Sequence, residues 1–298
     1  MRSEVPDTQK QNLYKKAIMI AIGGNLLLAL FKGVLAWFIG SSAIFSDAAN
    51  SLSDTLYSIL MGMGLYLSQR PADESHPQGH SRFEPLVSLF VAAAMTTAGA
   101  TAVWQSIRRF TGQAKSITIG WPTVVLLLAV LIKIVMYLRV KKIGDKAHSP
   151  AINASAYDNL VDILASLAAL IGVWGSRFIH PYFDPAAGLF VGLWIFKATF
   201  EIISENLGYL TGRGASEELI TEIANKAGKV EKVDGVHRVI AEYVGPQLRI
   251  DMHINLDGQL TLDEVHDIGE RVKEVVEEIK DVDLVFVHIE PTYYQENY

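Results

Sequence analysis

The chain has 298 residues, 50% of them apolar and only 19% charged, a balance too oily for an ordinary soluble enzyme of this length and one that predicts a membrane protein. The formal charge of -6 hides an asymmetry: residues 213–298 hold 9 basic and 19 acidic side chains and residues 1–212 hold 17 and 13, so an apolar, mildly basic front precedes an acidic, water-soluble tail. Neither part is basic enough for nucleic acid, and without cysteine there is no disulfide or thiolate site, which leaves His, carboxylate, amide or water to hold any metal.

The N-terminal Arg2, Lys10, Lys15 and Lys16 lack the short apolar region and cleavage site of a signal peptide, so the first apolar segment is expected to be retained. It runs from Tyr14 to about Gly40, where Gly40-Ser41-Ser42 reads as a tight hairpin connection. Ile44 to Leu67 is the second segment, closed at Arg70-Pro71, where proline stops a helix. The third runs from about Pro85 to Ile107, the fourth from about Ile119 to Leu138, the fifth from about Ala151 to Trp174 and the sixth from about Pro185 to Leu210. Each matches the ~20 residues that the hydrocarbon core demands, which predicts six transmembrane helices. With the N-terminus inside, the cytoplasmic loops hold Arg70, Arg82, Arg139, Lys141, Lys142 and Lys146 besides the N-terminal cations, against Arg108, Arg109, Lys115 and Arg177 outside. The positive-inside rule therefore places both termini in the cytoplasm, at a cell (inner) membrane.

Residues 1–212 are thus expected to form a six-span transport domain and residues 213–298 a cytoplasmic domain. In the tail, Ser216 with Glu217 and Glu218 reads as an N-cap opening a helix to about Ala227. Two strands follow; in the second, Leu248, Ile250, Met252, Ile254 and Leu256 alternate with polar residues, the period of a half-buried strand. A helix from Thr261 or Leu262 to about Ile279 is expected to turn Leu262, Val265, Ile268, Val272, Val275 and Ile279 inward, and a last strand, Leu284 to Glu290, stops at Pro291. The order αββαβ predicts a small α+β domain with its helices on one sheet face.

Three polar constellations interrupt this pattern. Asn50 and Asp54 in the second span, and Asp158 and Asp162 in the fifth, are two pairs spaced four apart, so each pair projects from one helix face. An ionised carboxylate in a span costs at least ~2.5 kcal/mol, and a divalent cation shared by four oxygens would offset that penalty. Asp47, one turn before Asn50, reads equally as a residue near the path of the ion or as a carboxylate at the membrane interface. Zinc favours imidazole or thiolate whereas manganese accepts oxygen alone, so this set favours manganese. Carboxylates crowded in a low dielectric take up protons when metal leaves, the physical basis of metal/proton exchange. In the loop, Asp73, His76 and His80 fit either a second metal site or a solvated polar loop around Pro77-Gln78-Gly79. In the tail, His237, His253, His266 and His288 with Glu290 read either as scattered surface histidines or as metal ligands; His253 and His288 fall on polar strand faces, and so many candidate ligands in ~55 residues favour metal binding. His148 and His180 read as interfacial residues, Lys32, Lys133 and Lys197 as lysines that snorkel or pair internally, and Gly188 with Gly192 as a small-residue packing face.

These residues resemble the cation diffusion facilitators over nearly the whole chain. In that family the second and fifth spans each carry two metal ligands four apart, as Asn50/Asp54 and Asp158/Asp162 stand here. The stretch from Asp73 to Glu84 is similar to the family loop whose Asp and two His bind a second ion. The tail is similar to the family's metallochaperone-like domain, where His237, His253, His266, His288 and Glu290 match positions that hold ions at the dimer interface. The resemblance implies a homodimer in a lipid bilayer that exports divalent metal in exchange for protons, with no catalytic cofactor and no enzyme activity. Zinc members carry His-Asp in the fifth span, so the Asn-Asp-Asp-Asp set resembles the manganese-exporting branch. Arg82 matches a basic residue that in some members pairs with an acid after the sixth span, where Thr211 stands here. The reading is a Mn2+/H+ antiporter working by alternating access. Its alternatives are an Fe2+ or Zn2+ exporter of the same family and a membrane-bound metal sensor. A metalloenzyme is disfavoured because no HExxH or similar motif is present.

Overall fold

A computed structural model describes residues 8–39, 42–112, 121–180 and 182–292. Arg2, Gly40, Ser41, Lys115 and Ile119, on which the sequence reading drew, lie outside them. The chain forms two compact units, Met1–Asn206 and Leu207–Tyr298.

The first unit is built from α1 (Thr8–Ile39), α2 (Ser42–Ser68), α3 (Phe83–Phe110), α4 (Trp121–Ala147), α5 (Pro150–Phe178) and α6 (Phe183–Leu210), whose last residues pass into the second unit. Among the described residues, five of these helices are long and apolar enough to cross a membrane, and α2 is the exception. Its 27 residues are sufficient in length, but Asp47, Asn50, Ser51, Ser53, Asp54 and Ser58 interrupt its apolar run. The helix that carries half of the proposed ion site is the one that looks least like a span. Trp37, Phe90, Trp104, Phe190 and Phe200 point outward from the helices, as residues facing lipid tails do.

The fourth helix corrects the sequence reading: it continues nine residues past Leu138, to Ala147. Arg139, Lys141, Lys142 and Lys146 end the stretch that suits hydrocarbon, but Lys and Arg are good helix formers and nothing breaks the backbone before His148, at φ 49°. Ser149 then caps α5 by accepting from the Ile152 N–H at 3.2 Å, with Pro150 at the first helical position. Gly144 lets α4 and α5 meet here, since a Cβ would collide with Asn153 Oδ1. Nearby, buried Glu84 accepts from the Tyr14 hydroxyl at 2.8 Å and from the Ser149 hydroxyl, tying α1, α3 and the start of α5 together. The small-residue face does pack: a Cβ on Gly188 would collide with Ser106 Oγ and one on Gly192 would meet Val103 Cγ2 at 2.6 Å, both on α3.

The second unit contains α7 (Glu217–Ala227), β1 (Gly235–Val244), β2 (Gln247–Leu256), α8 (Leu262–Glu277) and β3 (Val282–Pro291). Ser216 caps α7, and Thr261 forms a capping box with Glu264 at the start of α8. β1 and β2 form an antiparallel hairpin and β3 lies parallel to β2, as a crossover through α8 allows, giving the sheet order β1-β2-β3. Ile250, Met252 and Ile254 pack with Ile223 of α7 and Ile268, Val272 and Val276 of α8. Both helices therefore cover one face, and the alternate strand residues form an open polar face. Leu262, expected inward, is exposed at the first position of α8, right after its Thr261 cap.

Candidate metal centres

Asp54 on α2 and Asp158 and Asp162 on α5 come together: each offers a carboxylate oxygen, and the three oxygens lie within 4.8 Å of one another. The four-residue spacing stacks Asp158 over Asp162 on one face of α5, turned toward α2. Asn50, one turn before Asp54, has an exposed side chain. A fourth group stands among the carboxylates. Lys133 of α4 is buried, with its Nζ 3.1 Å from Asp54 Oδ2 and 2.5 Å from Asp162 Oδ2. It donates to Asn25 Oδ1 of α1 at 2.9 Å, and Asn25 donates in turn to Ser58 of α2 at 3.2 Å. The contact with Asp162 Oδ2 is the shorter of the two, a close ion pair between the ammonium and a buried carboxylate oxygen. Lys32 of α1 repeats the pattern two turns along α2, 2.9 Å from Asp47 and 3.1 Å from the Ser51 hydroxyl. Asp47 is thus an ion-pair partner, a role outside both sequence readings.

Asp73, His76 and His80 also bring one ligand atom each within 4.8 Å. The His76 backbone N–H donates to Asp73 Oδ1 at 2.7 Å, and this bond holds the Asp73 carboxyl below its usual range. His80 is buried with Nδ1 3.0 Å from the Pro71 carbonyl. A carbonyl only accepts, so Nδ1 carries the proton and the Nε2 lone pair faces Asp73 Oδ2 at 3.4 Å. Two lone pairs opposed at that distance make a place for a proton or a metal ion, with Pro71 fixing the ring as an outer hydrogen bond does for a ligating histidine.

The third cluster lies on the open face of the tail sheet. His253 of β2 pairs across with His288 of β3, and Glu290 lies two residues further along the same face. Glu290 is buried; His253 Nδ1 lies 3.1 Å from its Oε1, His288 Nε2 3.5 Å from the same oxygen, and His237 Nε2 3.3 Å from Oε2. His237 arrives there through a β-bulge: the register shifts between Val236 and Arg238, so the extra residue turns onto the polar face. Its Nδ1 lies 3.0 Å from Asn255 Oδ1, which aims Nε2 at a Glu290 oxygen that has no hydrogen-bond donor. His237, His253 and Glu290 each place a ligand atom within 4.8 Å. His266 stands apart, exposed on α8, which packs on the opposite face of the sheet.

Residues 18–211 match the family model described as "Cation efflux transmembrane domain", and residues 215–292 match ZT_dimer, described as "Cation efflux protein, cytoplasmic domain". The chain belongs to the cation efflux family. This cation efflux protein is 35% identical over 280 residues to the uncharacterized transporter MJ0449 of Methanocaldococcus jannaschii, across 93% of this chain and 98% of that one. It is 27% identical over 279 residues to the manganese efflux system protein MneS of Bacillus subtilis, across 92% and 94% of the two chains. The manganese efflux system protein MneP of the same organism is 28% identical over 298 residues, across 97% and 99%. The cation efflux protein is therefore a divalent cation transporter of the membrane, in a family of transporters rather than enzymes. Of the two sequence readings of Lys32 and Lys133, internal pairing holds, but their partners were not foreseen. The signal was a lysine in the middle of an apolar span, but its partner is set by how α1, α2, α4 and α5 pack.

Proposed function

We propose that this cation efflux protein exports Mn2+ from the cytoplasm in exchange for protons, by alternating access, with Asn50, Asp54, Asp158 and Asp162 as the transport ligands. The observation that carries the reading is the convergence of three carboxylates from two spans with no imidazole among them. Oxygen-only sites suit manganese better than zinc, and two relatives bear manganese efflux in their names. Exchange for protons keeps the clustered carboxylates charge-balanced when the ion departs. Residues 1–212 are the transport domain and residues 213–298 the regulatory and dimerising domain. Both termini are cytoplasmic at the cell membrane, a reading supported by the Lys and Arg of the loops. The protein works as a homodimer. Ile240 and Phe286 are exposed apolar residues on the open sheet face, and that is the surface a second copy would cover. The loop trio Asp73, His76 and His80, and the tail group His237, His253, His288 and Glu290, hold further ions that bias the dimer toward the transporting state. Their mixed imidazole and carboxylate donors suit zinc as well as manganese. The test is flux of Mn2+, Fe2+ and Zn2+ into proteoliposomes containing the native chain or Asp158→Ala. Mn2+ flux that disappears in the variant supports the reading; no flux in the native chain would leave a metal sensor.

A further inference from the structure

Building on Asp54, Asp158 and Asp162 as the transport ligands, we propose that Lys133 is a tethered cation competing with the transported metal. It fills the site between transport events and withdraws when a divalent ion binds.

The geometry has three parts. First, the ammonium bridges two helices: Nζ lies 3.1 Å from Asp54 Oδ2 on α2 and 2.5 Å from Asp162 Oδ2 on α5, with the side chain only 6% exposed. A divalent ion coordinated by those oxygens needs the same space, and two cations a few ångströms apart in a poorly polarisable interior repel strongly. Second, the lysine fills the site incompletely. Nζ reaches Asp54 and Asp162, but no hydrogen bond or ion pair within 4.0 Å joins it to Asp158, the third carboxylate. One positive charge neutralises the cluster less completely than two would, so a divalent ion reaching all three carboxylates is the better occupant. Third, the ammonium has a neutral acceptor to retain. Asn25 Oδ1 accepts from Nζ at 2.9 Å and is held by Ser58, so after losing the carboxylates the lysine still has a hydrogen bond on α1.

A tethered competitor sets a threshold. Cations that bind carboxylates weakly, or that surrender water reluctantly as Mg2+ does, fail to displace it, and the emptied site keeps a counter-charge while the carrier returns. Lys133 is therefore a specificity-determining residue as well as an ion-pair partner.

The experiment measures initial Mn2+ flux in proteoliposomes of the full chain against Mn2+ concentration, with and without Mg2+. Lys133→Met and Lys133→Gln are expected to lower the half-saturating Mn2+ concentration by roughly tenfold or more, to lower the maximal rate, and to let Mg2+ inhibit where the native chain ignores it. Lys133→Arg, which keeps the charge, is expected to stay near native half-saturation. A half-saturating concentration unchanged or raised in both neutral variants overturns the tether. A merely structural role would lower the amount of folded carrier without tightening Mn2+ or admitting Mg2+. Asp158→Asn separates the two claims: if it transports normally, the ligand assignment has failed, and if it is dead while the Lys133 variants behave natively, only the tether has failed. Should the neutral variants not fold, the native chain still decides. Acylation of Lys133 by an amine-reactive ester, followed by mass spectrometry, is expected to rise severalfold in saturating Mn2+, and an unchanged or lower rate overturns the proposal.

Discussion

Replacing Asp54 and Asp158 by asparagine, one at a time, should move the stability of the metal-free protein in different directions although both variants lose transport. Asp54 is one of three acceptors of the buried Lys133 ammonium, together with Asn25 and Asp162. An asparagine side chain there would keep the shape and lose the charge; a hydrogen bond to a charged group contributes about 1.5–3 kcal/mol, so Asp54→Asn should lower stability by about that amount. Asp158 makes no ion pair with Lys133 within 4.0 Å, and an oxygen of each of two other carboxylates lies within 4.8 Å of its own. Two like charges at that separation repel by about 3.5 kcal/mol at an effective dielectric of 20, so removing one of them leaves stability equal or higher. The assay is thermal unfolding of the full chain in detergent with a chelator, followed by tryptophan fluorescence. Should Asp158→Asn lose as much stability as Asp54→Asn, Lys133 is not the selective partner and the electrostatic account of the site is wrong.

Other outcomes follow from single contacts. Glu84→Ala strips buried Tyr14 and Ser149 hydroxyls of their shared acceptor, and at about 1–3 kcal/mol for each unsatisfied group it should destabilise the membrane unit far more than Tyr14→Phe, as read by the same melts. Gly192→Val places carbon where Val103 Cγ2 already lies 2.6 Å from a bare Cβ, and overpacking of about 1–3 kcal/mol should appear as loss of folded protein in size-exclusion profiles. Glu290→Ala removes the carboxylate shared by His237, His253 and His288; titration calorimetry of the full chain should then show fewer bound ions, while initial transport at saturating metal persists. Lastly, hydrogen bonds from the Thr261 backbone N–H, Lys232 and the Thr261 hydroxyl hold Glu264 at about 2, down from the usual 4.5. A depressed carboxylate stabilises the fold above its unfolded value, so the capping-box contribution to α8 is full above pH 4.5 and fades as pH falls through about 2. Amide exchange at the first turn of α8 should show the difference between native and Thr261→Ala narrowing across that window.

Local signals carried most of this architecture. The αββαβ order was readable because Leu248 to Leu256 alternate strictly, and because Ser216 and Thr261 are caps whose chemistry is written in neighbouring residues. The pairs on α2 and α5 were readable because a four-residue spacing stacks side chains on any helix. Helix ends were less so: charged residues end an apolar run, yet α4 carries them for two more turns because the backbone has no reason to stop before His148. Tertiary pairing was hidden. Nothing local says that Lys133 meets Asp54 and Asp162 while Lys32 meets Asp47, since each partner depends on the rotation of two packed helices. The bulge at His237 was equally silent, because a simple alternation counted from Arg238 would have turned that ring away from Glu290.

The central claim, an oxygen-only site selective for manganese, is tested most directly by comparing Mn2+ and Zn2+ flux through the native chain and Asp158→His in proteoliposomes with a pH-sensitive dye inside. The account predicts that the native chain moves Mn2+ faster than Zn2+ with coupled proton movement, and that one imidazole in the cluster shifts the preference toward Zn2+. Native flux that favours Zn2+, or a preference unmoved by Asp158→His, would contradict it.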